Sequence, residues 1–180
     1  NALSAGRIVA SMVLVFLALE DARGAFTWLL VAAIASDVAD GLLARALDAE
    51  SRLGAQLDSI GDALLLLAAC FGVWVFHPDL VLEQGALLAV LGVAWVVEVA
   101  AALWRYRRLS SFHTYLSKAA GLLLAVFVGT LFVAGFQSWL FHAAIAVGLL
   151  ATLEELALIA RLPRWRPNVR GLWWVMREPR

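Results

Sequence analysis

Asp37-Val38-Ala39-Asp40-Gly41-Leu42-Leu43-Ala44-Arg45 and, after a short polar break, Gly54-Ala55-Gln56-Leu57-Asp58-Ser59-Ile60-Gly61-Asp62 decide how the rest of the chain is read. Four carboxylates lie inside two long apolar runs. An ionised side chain in a hydrocarbon core costs at least about 2.5–3.5 kcal/mol, so each acid needs a physical reason. Asp37 and Asp40 are spaced i, i+3 and Asp58 and Asp62 are spaced i, i+4, which puts each pair on one helix face. The break Asp48-Ala49-Glu50-Ser51-Arg52 is so short that the two runs must form a helical hairpin. At 1.5 Å of rise per residue, both pairs fall roughly 8–15 Å from the turn. Four negative charges at one depth repel one another and protonate unless cations compensate them, and Arg45 and Arg52 are too few. Oxygen ligands without histidine or cysteine select hard divalent ions, so Mg²⁺ or Mn²⁺ is expected, with two ions bridged by Asp37, Asp40, Asp58 and Asp62.

Outward from this hairpin the chain stays apolar. Hydrophobic residues make up 63% of the 180 and charged residues 16%, and the mean hydropathy is +0.87. A soluble domain of that composition could not keep its surface wet. A bilayer core of about 30 Å needs roughly 20 apolar residues per helix, and the stretches 3–19, 24–47, 53–76, 80–104, 114–136 and 138–160 meet that need. The expected architecture is an all-α integral membrane protein with six transmembrane helices in residues 1–160. A basic, tryptophan-rich tail, 161–180, follows. The first run carries Arg7 and leads into further spans, so it reads as a span and not as a cleaved leader.

Formal net charge is zero, from 14 basic and 14 acidic residues, which leaves no basic surplus for nucleic acid. With six spans, all basic residues except Arg23 fall on the side of the two termini, and the positive-inside rule makes that side cytoplasmic. The expected location is therefore the cell's inner membrane, multi-pass, with termini and active site cytoplasmic. Trp28, Trp74, Trp104 and Trp139 fit interfacial belts, while Trp95 sits mid-span. The tail, with Trp165, Trp173 and Trp174 among arginines, is expected to lie on the anionic leaflet, the alternative being a tail that packs on the enzyme or on a neighbouring subunit. Cys70, the single cysteine, excludes an intramolecular disulfide and is expected as a buried thiol.

Gly41 follows Asp40 and Gly54 precedes Asp58 by one turn, so missing side chains open room beside the acidic faces. Read together, Asp37-x2-Asp40-Gly41-x2-Ala44-Arg45-x8-Gly54-x3-Asp58-x3-Asp62 resembles the signature of the CDP-alcohol phosphotransferase family, with every fixed position occupied. A chance match is on the order of 10⁻¹⁰ per starting point. Asn1-Ala2-Leu3-Ser4-x2-Arg7 is also similar to the family's N-terminal stretch. The resemblance implies six helices around a polar cavity open to the cytoplasm, usually in a homodimer, with a CDP-linked lipid as donor. By motif position it implies that Asp37, Asp40 and Asp58 ligate metal, and that Asp62 is a further ligand and the general base. Gly41, Ala44, Arg45 and Gly54 would line the site for the CDP moiety. Arg45 suits phosphates, being charged at any pH and able to bind bidentately.

The acceptor alcohol is less legible. Lys118 at the start of span five and Arg105 at the end of span four are candidates to hold an acceptor phosphate, as in glycerol 3-phosphate or inositol phosphate. The start of span five departs from the Gly-Lys-x-Lys-Thr-like stretch common in the family's phosphatidylglycerophosphate synthases, which weighs against glycerol 3-phosphate. Glu98, Glu154 and Glu155 are further intramembrane acids, open to pairing with a basic residue, to binding an acceptor hydroxyl or amine, or to staying protonated. They keep serine or another amino alcohol as an alternative acceptor. An ion-coupled transporter is the alternative of another class, but its acids would string across the bilayer instead of bunching at one depth.

Overall fold

The computed structural model describes residues 2–47, 52–107, 112, 114–166 and 169–177, but not the side chains of 2–5, 37–47, 52–60 and 62. The elements are helical: α1 (Ala2–Leu19), α2 (Arg23–Leu47), α3 (Arg52–Phe76), α4 (Pro78–Tyr106), α5 (Tyr115–Ala134), α6 (Ser138–Arg161) and α7 (Leu172–Arg177). The first six coincide with the six apolar runs. Of these, α4, α5 and α6 are long and apolar enough to cross a membrane. Among the residues whose side chains are described, α1, α2 and α3 hold the apolar stretches Gly6–Leu19, Arg23–Ser36 and Ala63–Phe76.

Local chemistry sets the helix ends. Asp21 adopts φ 54°, a left-handed conformation that turns the chain between α1 and α2. Pro78 opens α4, where its missing N–H costs nothing, and Asp79 sits in the first turn against the helix dipole. Thr114 caps α5 by accepting from the Ser117 N–H. Gly135, at φ 84°, ends it.

The chain divides into two units, Asn1–Glu83 and Gln84–Arg180. In the first, α1 packs along α3 and α2. Its core includes Leu14, Ala18, Phe26, Leu30, Ala68 and Ala69. The Phe26 ring lies over Gly72, where any Cβ would collide with it, and stacks tilted on Phe76 at 5.2 Å. Next to this contact an Arg23 guanidinium nitrogen lies 3.3 Å from His77 Nε2. Cys70 is exposed and not a buried thiol. The neighbours Ala68, Ala69 and Gly72 occupy the packed face of α3, and a 100° step per residue carries Cys70 away from it.

In the second unit α5 and α6 form a hairpin closed by three phenylalanines, with ring distances of 6.3 Å (Phe127–Phe136), 5.4 Å (Phe127–Phe141) and 5.7 Å (Phe136–Phe141). α4 runs parallel to α6. A Cβ on Gly148 would meet Leu91 at 3.1 Å. Towards the far end Ala102 packs with Leu158 and Ile159, and the Tyr106 hydroxyl donates to the Leu162 carbonyl at 2.8 Å. Large apolar side chains face outward on the helices of both units, among them Trp28 (75% exposed) and Trp104 (86%). Such a surface suits acyl chains and not water.

The tail does not simply leave the bundle. Val169 and Leu162 are buried against Phe112 and α6, whereas Trp173, Trp174 and Met176 on α7 stay exposed.

Candidate functional site

Asp37, Asp40, Gly41, Ala44 and Arg45 belong to the last part of α2, and Gly54, Asp58 and Asp62 to the first part of α3. Their side chains, and the connection 48–51, lie outside the described residues. The backbone alone is informative. Four linking residues span at most about 18 Å, so the end of α2 and the start of α3 are close. Asp40 lies about 10 Å before the end of α2 at Leu47, and Asp58 about 9 Å after the start of α3 at Arg52. Asp37 and Asp62 each lie about 15 Å from the same ends. Along the two helices the acids therefore stand at matching distances from the connection, Asp40 with Asp58 and Asp37 with Asp62. Among the described residues no group of three metal-ligating side chains comes together.

The other acids found partners that no spacing rule could have named. Glu98 on α4 is 7% exposed, and Thr152 and Glu155 on α6 are 6% and 3% exposed. Glu98 shares hydrogen bonds with both Thr152 and Glu155. Glu155 also accepts the Phe112 N–H through Oε2 at 3.3 Å. Glu154 takes the Leu172 N–H through Oε1 at 3.0 Å. These glutamates tie helices and connections together. Their signal in the sequence was their placement in apolar helices, which says that partners exist but not which.

The two acceptor candidates part company. Arg105 donates from Nε and Nη2 to the Leu162 carbonyl, both at 3.3 Å, and so caps the end of α6. Lys118, in the first turn of α5, is exposed, and a Cβ on Gly121, one turn on, would meet nothing within 4 Å. The two residues thus differ in engagement: the Arg105 guanidinium is taken up by the Leu162 carbonyl, and Lys118 has open space beside it at Gly121.

In sequence, the chain is 36% identical over 113 residues to the CDP-diacylglycerol–serine O-phosphatidyltransferases of Mycobacterium bovis and Mycobacterium tuberculosis. The match covers 63% of this chain and 36% of each relative, so the chain spans about a third of their length. No solved structure matches it. The family model of the CDP-alcohol phosphatidyltransferases matches residues 1–150, which takes in the aspartates of α2 and α3 and the helices that carry them: the chain belongs to the CDP-alcohol phosphatidyltransferase family.

Proposed function

We propose that the protein is a membrane-embedded phosphatidyltransferase that moves the phosphatidyl group of CDP-diacylglycerol to a small alcohol, with serine as the acceptor, and releases CMP. What supports this reading is the matching distance of Asp37 and Asp62, and of Asp40 and Asp58, from the α2–α3 connection in a chain of this family. Serine is favoured over a polyol phosphate because the relatives are serine transferases and because Arg105 is engaged in capping α6.

In this reading the acceptor oxygen attacks the phosphatidyl phosphorus, the bond to CMP breaks, and Asp62 takes the hydroxyl proton. Asp37, Asp40 and Asp58, with Asp62 as a further ligand, supply an all-oxygen donor set that fits Mg²⁺ or Mn²⁺, two ions being expected. Bound there, the metal would neutralise the pyrophosphate and stabilise the departing CMP. Gly41, Ala44 and Gly54 leave room for the CDP moiety, and Arg45 pairs with its phosphates. α1–α6 are the six spans, with both termini and the polar cavity on the cytoplasmic side of the inner membrane, and two copies pair as a homodimer.

The test is CMP release by detergent-solubilised protein given CDP-diacylglycerol, Mn²⁺ and, in separate reactions, serine, glycerol 3-phosphate, inositol phosphate and other amino alcohols. Serine-dependent release is expected. Release with a polyol phosphate and not serine would replace the acceptor. No release with any acceptor would overturn the reading.

A further inference from the structure

Residues 154–177 lie beyond the part of the chain that the family model matches, yet they hold the beginning of α5 in place. Val169 donates its N–H to the Phe112 carbonyl at 3.1 Å, and Tyr115 donates its N–H to the Arg170 carbonyl at 3.3 Å. The tail is thus paired through its backbone with the connection between α4 and α5. Both partners are also fastened to α6 by neighbouring carboxylates. Glu155 takes the Phe112 N–H and Glu154 the Leu172 N–H. Successive residues of a helix point about 100° apart, so two adjacent glutamates can reach two different segments. The result is a closed triangle of α6, connection and tail, sealed by Phe112 (0% exposed) and Val169 (9%), with the Tyr115 and Trp174 rings edge to face at 5.8 Å.

Gly171 is the residue that lets the triangle close. Its φ of 154° disfavours any side chain, and a Cβ there would stand 2.9 Å from Glu154 Oε1 and 3.3 Å from the Trp174 ring. Thr114, fully buried in the clasped connection, accepts the Ser117 N–H that starts α5, and its carbonyl takes the N–H of Lys118 at 3.0 Å. Whatever fixes Phe112, Thr114 and Tyr115 also fixes the turn that carries Lys118.

We infer that residues 169–177 form a clasp on the α4–α5 connection, anchored by Glu154 and Glu155, and that the clasp positions the first turn of α5 for acceptor binding. Glu154 and Gly171 are positioning residues and not catalytic ones. The functional half rests on reading Lys118 as lying beside the acceptor, whereas the clasp itself does not.

The experiment measures amide hydrogen exchange and CMP-release kinetics on the full chain in detergent. Gly171→Ala and Glu154→Ala should speed exchange across 112–118 roughly tenfold, the loss of about one hydrogen bond to a charged group. The same variants should raise the acceptor KM by a similar factor at unchanged donor KM. Glu154→Gln, which keeps an acceptor oxygen for Leu172, should stay near the parent in both. Unchanged exchange in Gly171→Ala would overturn the clasp. Faster exchange with an unmoved acceptor KM would overturn its positioning role. Should the parent protein release no CMP with any alcohol, the transferase reading and the positioning role fail together, and exchange alone decides the clasp.

Discussion

The two units put acids into apolar helices for opposite ends. In the second, protein groups meet Glu98, Glu155 and Glu154 Oε1: a neighbouring carboxyl, a threonine hydroxyl and two backbone N–H groups, while Glu154 Oε2 is buried without a hydrogen bond among the described residues. In the first, Asp37, Asp40, Asp58 and Asp62 stand at two matched levels along α2 and α3, in a spacing that belongs to a family of transferases. Helix-borne acids therefore are not chemical merely because they are costly. A carboxylate that accepts a backbone N–H from a distant segment, as Glu154 and Glu155 do, is a structural fastener. The proposed function gives the aspartates of α2 and α3 the other duty, holding something that enters from outside.

Substitution should separate the two sets most sharply at the aspartates. Asp40→Asn and Asp62→Asn are each expected to cut CMP release by on the order of 10³-fold or more while leaving thermal unfolding in detergent unchanged or raised, because they relieve repulsion. Asp62→Asn should retain more Mn²⁺ and CDP-lipid binding than Asp37→Asn or Asp40→Asn, since an amide keeps a ligand oxygen but takes no proton. Near-normal turnover in Asp62→Asn would withdraw its role as base. Excess EDTA should likewise abolish release, and added Mg²⁺ or Mn²⁺ should restore it; full turnover in EDTA would remove the metal from the scheme.

At the glutamates the order of effects reverses. Glu155→Ala strands the buried Phe112 N–H and leaves Glu98 its bond to Thr152 alone, and it should lower stability by about 2–3 kcal/mol, read as a drop in the unfolding midpoint. A midpoint equal to the parent's would mean that Glu155 is not a fastener. Smaller again is Gly72→Ala, whose new methyl must displace the Phe26 ring, at an expected cost of about 1–3 kcal/mol confined to the first unit. Protection of the 112–118 amides against exchange should not change in that variant.

The smallest effect is a pH dependence at the Arg23–His77 contact. Burial, and then the Arg23 charge, push His77 below its ordinary value. A depressed histidine contributes stability above its unfolded pKa of about 6.5 and loses it as pH falls through the lower folded value. Acidification should therefore lower the unfolding midpoint slightly more in the parent than in His77→Gln. Identical slopes in the two proteins would show that the contact carries no linked proton.

Helix positions and the acidic motif were legible from the residues alone, because both are local. An apolar run of about 20 residues bounded by Glu20-Asp21, Asp48 to Arg52 or His77-Pro78 has few alternatives to a helix, and i, i+3 or i+4 spacing places two acids on one face whatever surrounds them. The duties of Arg105, Glu98, Glu154 and Glu155 could not be read that way, nor could the choice between a tail on the leaflet and a tail packed on the bundle. Arg105 carries the same charge whether it binds a phosphate or caps α6. Glu154 and Glu155 acquire their roles only when residues 112 and 172, distant in sequence, return to the same end of α6. The sequence alone determined where charge enters the apolar helices, since that follows from composition along one chain. Which charges are fasteners was decided by tertiary structure, because a hydrogen bond needs two groups brought within about 3 Å and only the packing of α4, α5 and α6 brings them there.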